Sequence, residues 1–132
     1  MEWEQLIAAA EHCRGRRELS PFVEAGTVSA AILTRTGHLY TGVCIDTACS
    51  LGMCAERNAI GSMITAGESE ITKLVCCMED GALGLPCGAC RELLMQINGR
   101  NGEMEILTNR ISSETVRLYE LLPGWWGKER TK

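Results

Sequence analysis

No stretch of this chain approaches the roughly 20 consecutive apolar residues that cross a bilayer, so the sequence offers no membrane span. Positive charge is also scarce: 13 lysines and arginines stand against 17 aspartates and glutamates, a net charge of −4. That balance presents no global positive field to a nucleic acid, and no basic or aromatic extension is present to track a single strand. Internal repeats and low-complexity runs are absent. The first residues, MEWEQLIAAAEH, are acidic and amphipathic and unlike a secretory signal, so the expected location is the cytoplasm. The basic residues Arg14, Arg16 and Arg17 lie at the end of a predicted helix and read as its solvated end, favoured by the helix dipole. A length of 132 residues suits one domain, 1–132, with a single core.

Cysteine, by contrast, is plentiful: eight residues, at 13, 44, 49, 54, 76, 77, 87 and 90. In a reducing compartment they call for metal chemistry, redox chemistry or simple burial rather than a disulfide framework.

Apolar spacing at Trp3, Leu6, Ile7, Ala10 and Cys13 predicts a helix over 2–18, ended by Ser20-Pro21. The β-branched runs 27–34 and 39–45, separated by Thr36-Gly37, predict an antiparallel hairpin. A helix over about 54–66 closes at Gly67. The apolar run 72–78 reads as a buried strand, 88–98 as a helix, and 103–108 and 115–118 as further strands before a helical turn at 119–122. Residues 109–114 are too few for a parallel crossover, so the last strand pair should be antiparallel. The expected architecture is a three-layer αβα sandwich around a five-stranded mixed sheet.

Pro86-Cys87-Gly88-Ala89-Cys90 opens a helix directly after a buried strand. Thiolates at i and i+3 share one face of a helical turn, and the helix N-terminus favours the thiolate form. Alone, this pattern also fits a thioredoxin-like redox site. A second segment, Cys54-Ala55-Glu56-Arg57, likewise sits at a predicted helix start. A catalytic zinc site takes three protein ligands and keeps one position open. Cys54, Cys87 and Cys90 supply three, and Glu56 supplies a carboxylate for proton transfer. Positions i and i+2 do not share a helix face, so Cys54 must stand at or before the cap with Glu56 in the first turn. Three thiolates on Zn²⁺ leave a net negative charge, which the two helix N-termini and Arg57 are placed to offset.

The pair C-A-E-R and P-C-G-A-C-R resembles the signature of the cytidine deaminase superfamily. Ser29-Ala30-Ala31-Ile32, Tyr40-Thr41-Gly42 and Glu120-Leu121-Leu122-Pro123 are similar to segments of its small tetrameric branch and of the related blasticidin-S deaminases. The resemblance covers most of the chain. It implies hydroxide attack on C4 of an aminopyrimidine, with Glu56 taking the water proton, passing it to the ring nitrogen and helping ammonia leave. It implies a small-molecule substrate and a homo-oligomer, a tetramer. Substrate contacts fall to Ala55 and to Cys44 and Asp46, which stand where the family's N-[VI]-E-N-A segment binds ribose. There the asparagine is lost, the glutamate is shortened, and the path to Cys54 is about one residue shorter. Gly26-Thr27 replaces an aromatic residue before the first strand. These departures leave the zinc chemistry intact and fall on sugar recognition. The alternatives are a deaminase of a blasticidin-S-like or other non-nucleoside heterocycle, a structural zinc module with no use for Glu56, and a thiol redox protein.

The remaining cysteines and histidines read more blandly. Cys13, Cys76 and Cys77 are expected in the core, Cys44 and Cys49 near the pocket, and His12 and His38 on the surface. Trp125 and Trp126 fit C-terminal packing or an oligomer contact, and the family resemblance implies a third role, an aromatic cover over the active site.

Overall fold

A computed structural model describes residues 1–130; the domain boundary expected at 132 lies outside them. Helix α1 (Trp3–Cys13) leads into β1 (Arg17–Ser20), and β2 (Val23–Thr34) and β3 (Leu39–Thr47) form the predicted hairpin. Helix α2 (Ala55–Thr65), β4 (Ile71–Cys77), a two-residue β5 (Leu83–Gly84) and α3 (Gly88–Ile97) follow. A 3-10 turn at Gly99–Glu103, strands β6 (Glu105–Leu107) and β7 (Thr115–Arg117), and 3-10 turns at Leu118–Leu121 and Lys128–Arg130 complete the chain.

Among the described residues the sheet is mixed and has seven strands rather than five. The expected five form its body: β3 and β4 flank β2 antiparallel, β6 runs parallel to β4, and β7 closes antiparallel on β6. The additions are β1, beside the first half of β2, and β5, beside the end of β4. Alternation along the strands divides the core. Ala31, Leu33, Val75, Cys77 and Leu107 face Leu6 and Ala10 of α1. Ile32, Leu74 and Ile106 face Ala59, Ile60 and Met63 of α2 and Leu94 and Met95 of α3. The three-layer αβα sandwich follows directly. Among the described residues no helix is long and apolar enough to cross a membrane.

The first helix is shorter than its periodicity suggests. Arg14 is already extended, and the Gly15 N–H donates to Gly26 O at 2.8 Å. Gly26 adopts φ +92°, and a Cβ there would lie 2.0 Å from Gly15 O. Two glycines in backbone contact therefore stop the helix and turn residues 17–20 into a strand. Arg16 and Arg17 are exposed, as expected of a solvated cluster, and all three basic residues find partners. Arg14 meets Glu11 at 2.7 Å, Arg16 meets Glu24 at 2.7 Å, and Arg17 donates to Cys13 O at 2.6 Å.

Two close contacts seat α2 on the sheet. A Cβ on Gly42 would come within 2.4 Å of Ala59 N and 2.6 Å of Ala55 O, so no side chain fits between β3 and the start of the helix. Asn58 donates to Val43 O at 3.0 Å, and Ile45 and Met53 exchange backbone bonds of 2.9 and 3.0 Å. The segment ahead of Cys54 is thereby pinned to β3.

Candidate active site

Cys54 is the N-cap of α2 and Cys87 the N-cap of α3. Glu56 lies in the first turn of α2 and Cys90 in the first turn of α3, the arrangement that their spacing requires. The Cys54 and Cys87 sulfurs are 3.5 Å apart, those of Cys87 and Cys90 are 3.4 Å apart, and all three lie within 4.8 Å of one another. Tetrahedral zinc with Zn–S bonds of about 2.3 Å requires S–S separations of about 3.8 Å, so the donor set and spacing fit that ion. Among the described residues no fourth histidine, cysteine or carboxylate joins the three.

The two helix starts create the electrostatics. Burial pushes the Cys87 thiol up, but the N–H groups of Cys90 and Ala89 and the neighbouring thiols outweigh it and bring the thiol below its ordinary value. Cys90, fully buried, is pushed up by desolvation and by the charge of Glu56. Glu56 is only 4% exposed; burial raises its carboxyl, opposed by its own backbone N–H, Cys76 and Arg57. A buried carboxyl with a raised pKa is suited to accepting a proton and giving it back. Arg57 Nη2 lies 3.6 Å from Cys54 Sγ, and that sulfur raises the guanidinium pKa. Arg57 Nε is buried without a partner. The motif's final arginine, Arg91, donates to Pro86 O at 2.7 Å and braces the turn that presents Cys87.

Beside Cys54 and Arg57 opens a recess of about 340 Å³, lined also by Cys44, Asp46, Cys49 and Met53. Ala55 is fully packed, against Ala30 and Cys44. Trp125 and Trp126 do not line that recess. Their indole N–H groups donate to the Glu92 carboxylate at 3.0 and 3.1 Å, and Trp125 packs on the α2–α3 side of the core. Cys76 and Cys77 are buried as expected, whereas Cys13 is half-buried. His38 is exposed and paired with Glu68 at 2.9 Å.

The sequence pattern does not point to Glu92, and it places Cys76 only in the core and Thr27 only at a departure from the family pattern, without a contact to the site for either. Nothing local distinguishes Glu92 from any solvent-facing helix glutamate. Cys76 is reached only once β4 is set beneath α2, and Thr27 meets Cys44 only across the β2–β3 pair.

No protein-family model matches the chain. The cytidine deaminase of Sporosarcina psychrophila is 30% identical over 132 residues, covering 98% of this chain and 94% of that protein. The chain belongs to the cytidine deaminase family. The cytidine deaminase of Mycobacterium tuberculosis is 30% identical over 101 residues, 76% of this chain and 72% of that one. Solved cytidine deaminases share the fold. The Mycobacterium leprae structure superposes with a TM-score of 0.75 at 29% identity, covering 93% of this chain and 98% of its own. The Burkholderia pseudomallei structure gives 0.74 at 30% identity, covering 94% and 98%. The shared fold thus accounts for the αβα sandwich.

Proposed function

We propose that this chain is a zinc-dependent hydrolytic deaminase of a free aminopyrimidine-type nucleoside or base, replacing the ring amino group by oxygen and releasing ammonia. The carrying observation is the trio of sulfurs within 4.8 Å at two helix starts, adjoined by the buried carboxylate of Glu56, in a cytidine deaminase family chain. Cys54, Cys87 and Cys90 would hold Zn²⁺, which supplies the Lewis acidity that makes water a nucleophile at neutral pH. Arg57 offsets the negative charge of three thiolates through Cys54. Glu56 takes the proton from water, delivers it to the ring nitrogen beside the attacked carbon, and assists the amino group to leave as ammonia. Its burial excludes bulk water from those transfers. The absence of a fourth ligand among the described residues disfavours a closed structural site.

Substrate choice is read from the recess. Asp46, contacted by Cys44, is the chain's group for the part of the substrate remote from the amino group, and Ala55 packs behind Cys44 at the start of α2. Thiols are weak hydrogen-bond partners, and one lost bond to a charged group costs about 1.5–3 kcal/mol, or about 10- to 150-fold in kcat/KM. Cytidine is therefore expected to be turned over with kcat/KM below about 10⁵ M⁻¹s⁻¹, another aminated heterocycle being preferred. Ammonia release from cytidine, deoxycytidine, cytosine, blasticidin S and related heterocycles tests both statements. Release from none contradicts the deaminase; efficient release from cytidine contradicts the substrate reading.

The same reading includes a single domain, a cytoplasmic location and a homotetramer. Sedimentation of active protein should show a species well above the 14.4 kDa chain. A strictly monomeric, fully active protein would contradict the assembly.

A further inference from the structure

Between the register pairs Ala25–Ile45 and Ser29–Val43, three residues of β2 (Gly26, Thr27 and Val28) stand opposite a single residue of β3, Cys44. Such a bulge re-aims side chains that a regular strand would send to opposite faces. Here two successive residues converge on one sulfur. Thr27 Oγ1 lies 3.2 Å from Cys44 Sγ, and the Val28 N–H donates to the same sulfur at 3.3 Å. Cys44 in turn donates to Asp46 Oδ2, at 3.8 Å.

A thiol has one proton, and a carboxylate oxygen accepts. With the Cys44 S–H directed at Asp46 Oδ2, the Thr27 hydroxyl and the Val28 N–H are the donors to its sulfur. Cys44 is only 8% exposed, so its sulfur is largely committed to these partners. Asp46 is exposed and lines the recess with Cys54 and Arg57. An exposed carboxylate samples several rotamers, and the thiol contact favours one of them.

We infer that Thr27 and Cys44 are positioning residues: together they hold the Asp46 carboxylate in the recess beside Cys54, where it accepts a hydrogen bond from a hydroxyl or ammonium donor on the substrate's far end. Cys44 thus acts through Asp46 rather than by touching substrate. The inference rests on the deaminase reading above.

The test is a discrimination ratio, kcat/KM for cytidine divided by kcat/KM for 1-methylcytosine, which lacks the distal hydroxyls. Both terms share one concentration of active enzyme, so a partly folded variant does not distort the ratio. Asp46→Asn should lower it about tenfold or more, and Cys44→Val by a similar factor. Thr27→Val should lower it about threefold or more, while Thr27→Ser, which keeps the hydroxyl, stays within about twofold of wild type. Added to Asp46→Asn, neither Thr27→Val nor Cys44→Val should lower it further. Should Cys44→Val fail to fold, the Thr27 pair and its combination with Asp46→Asn carry the test. A ratio unmoved by Thr27→Val, or one lowered by the same factor with and without Asp46, overturns the inference while leaving the deaminase standing. Wild-type protein that releases ammonia from neither compound overturns the inference, and the deaminase reading falls with it only if every other aminated heterocycle of the screen is also left intact.

Discussion

Glu56→Gln should retain its zinc and its fold and lose about 10²- to 10⁴-fold in turnover. The amide matches the carboxylate in shape but does not take up a proton at neutral pH. The position is 4% exposed, and burial already disfavours the charged form, so a neutral replacement relieves a desolvation cost. Thermal stability is therefore expected to hold or rise while activity collapses. That divergence separates a proton carrier from a structural carboxylate. Kinetics alongside elemental analysis of the same preparation checks it. A variant within a few-fold of wild type would mean that another group moves the proton.

Cys87→Ala should behave in the opposite way, losing metal and stability together. Cys87 is exposed at the N-cap of α3, so removing its sulfur costs little packing. Its loss acts through the ion. A ligand that binds only the folded chain stabilises it by about 4 kcal/mol when present at 1,000-fold its Kd. The melting temperature of Cys87→Ala is expected to match that of chelator-treated wild type and to be insensitive to chelator itself. Cys90→Ala is the less clean experiment, because Cys90 is fully buried and its replacement also opens a cavity. A Cys87→Ala protein with full zinc content and an unchanged melting curve would remove Cys87 from the metal site.

Much of this arrangement is legible in the sequence because the relevant signals are local. The hairpin of β2 and β3 is announced by two β-branched runs around Thr36-Gly37, and the six-residue link 109–114 fixes β6 and β7 as antiparallel. The positions of Cys54 and Glu56 follow from helix geometry alone: at a spacing of two they can serve one site only if the first is a cap. What was not legible depends on contacts distant in sequence. Strand β1 is mostly exposed and carries no alternation; it is a strand because Gly15 and Gly26 bring it alongside Ala25. Strand β5 is two residues long and exists only as pairing to Cys76 and Cys77. The tryptophans' common partner, Glu92, lies more than 30 residues before them. Thr27 draws its role from a bulge that no residue pattern announces.

The central claim is that three cysteines at two helix starts make an open, catalytic zinc site. X-ray absorption on the purified, metal-replete protein tests it most directly. The account predicts one zinc per chain with three sulfur neighbours at about 2.3 Å and one exchangeable light-atom neighbour. Four sulfur neighbours, or protein that holds no zinc after careful purification, would contradict it.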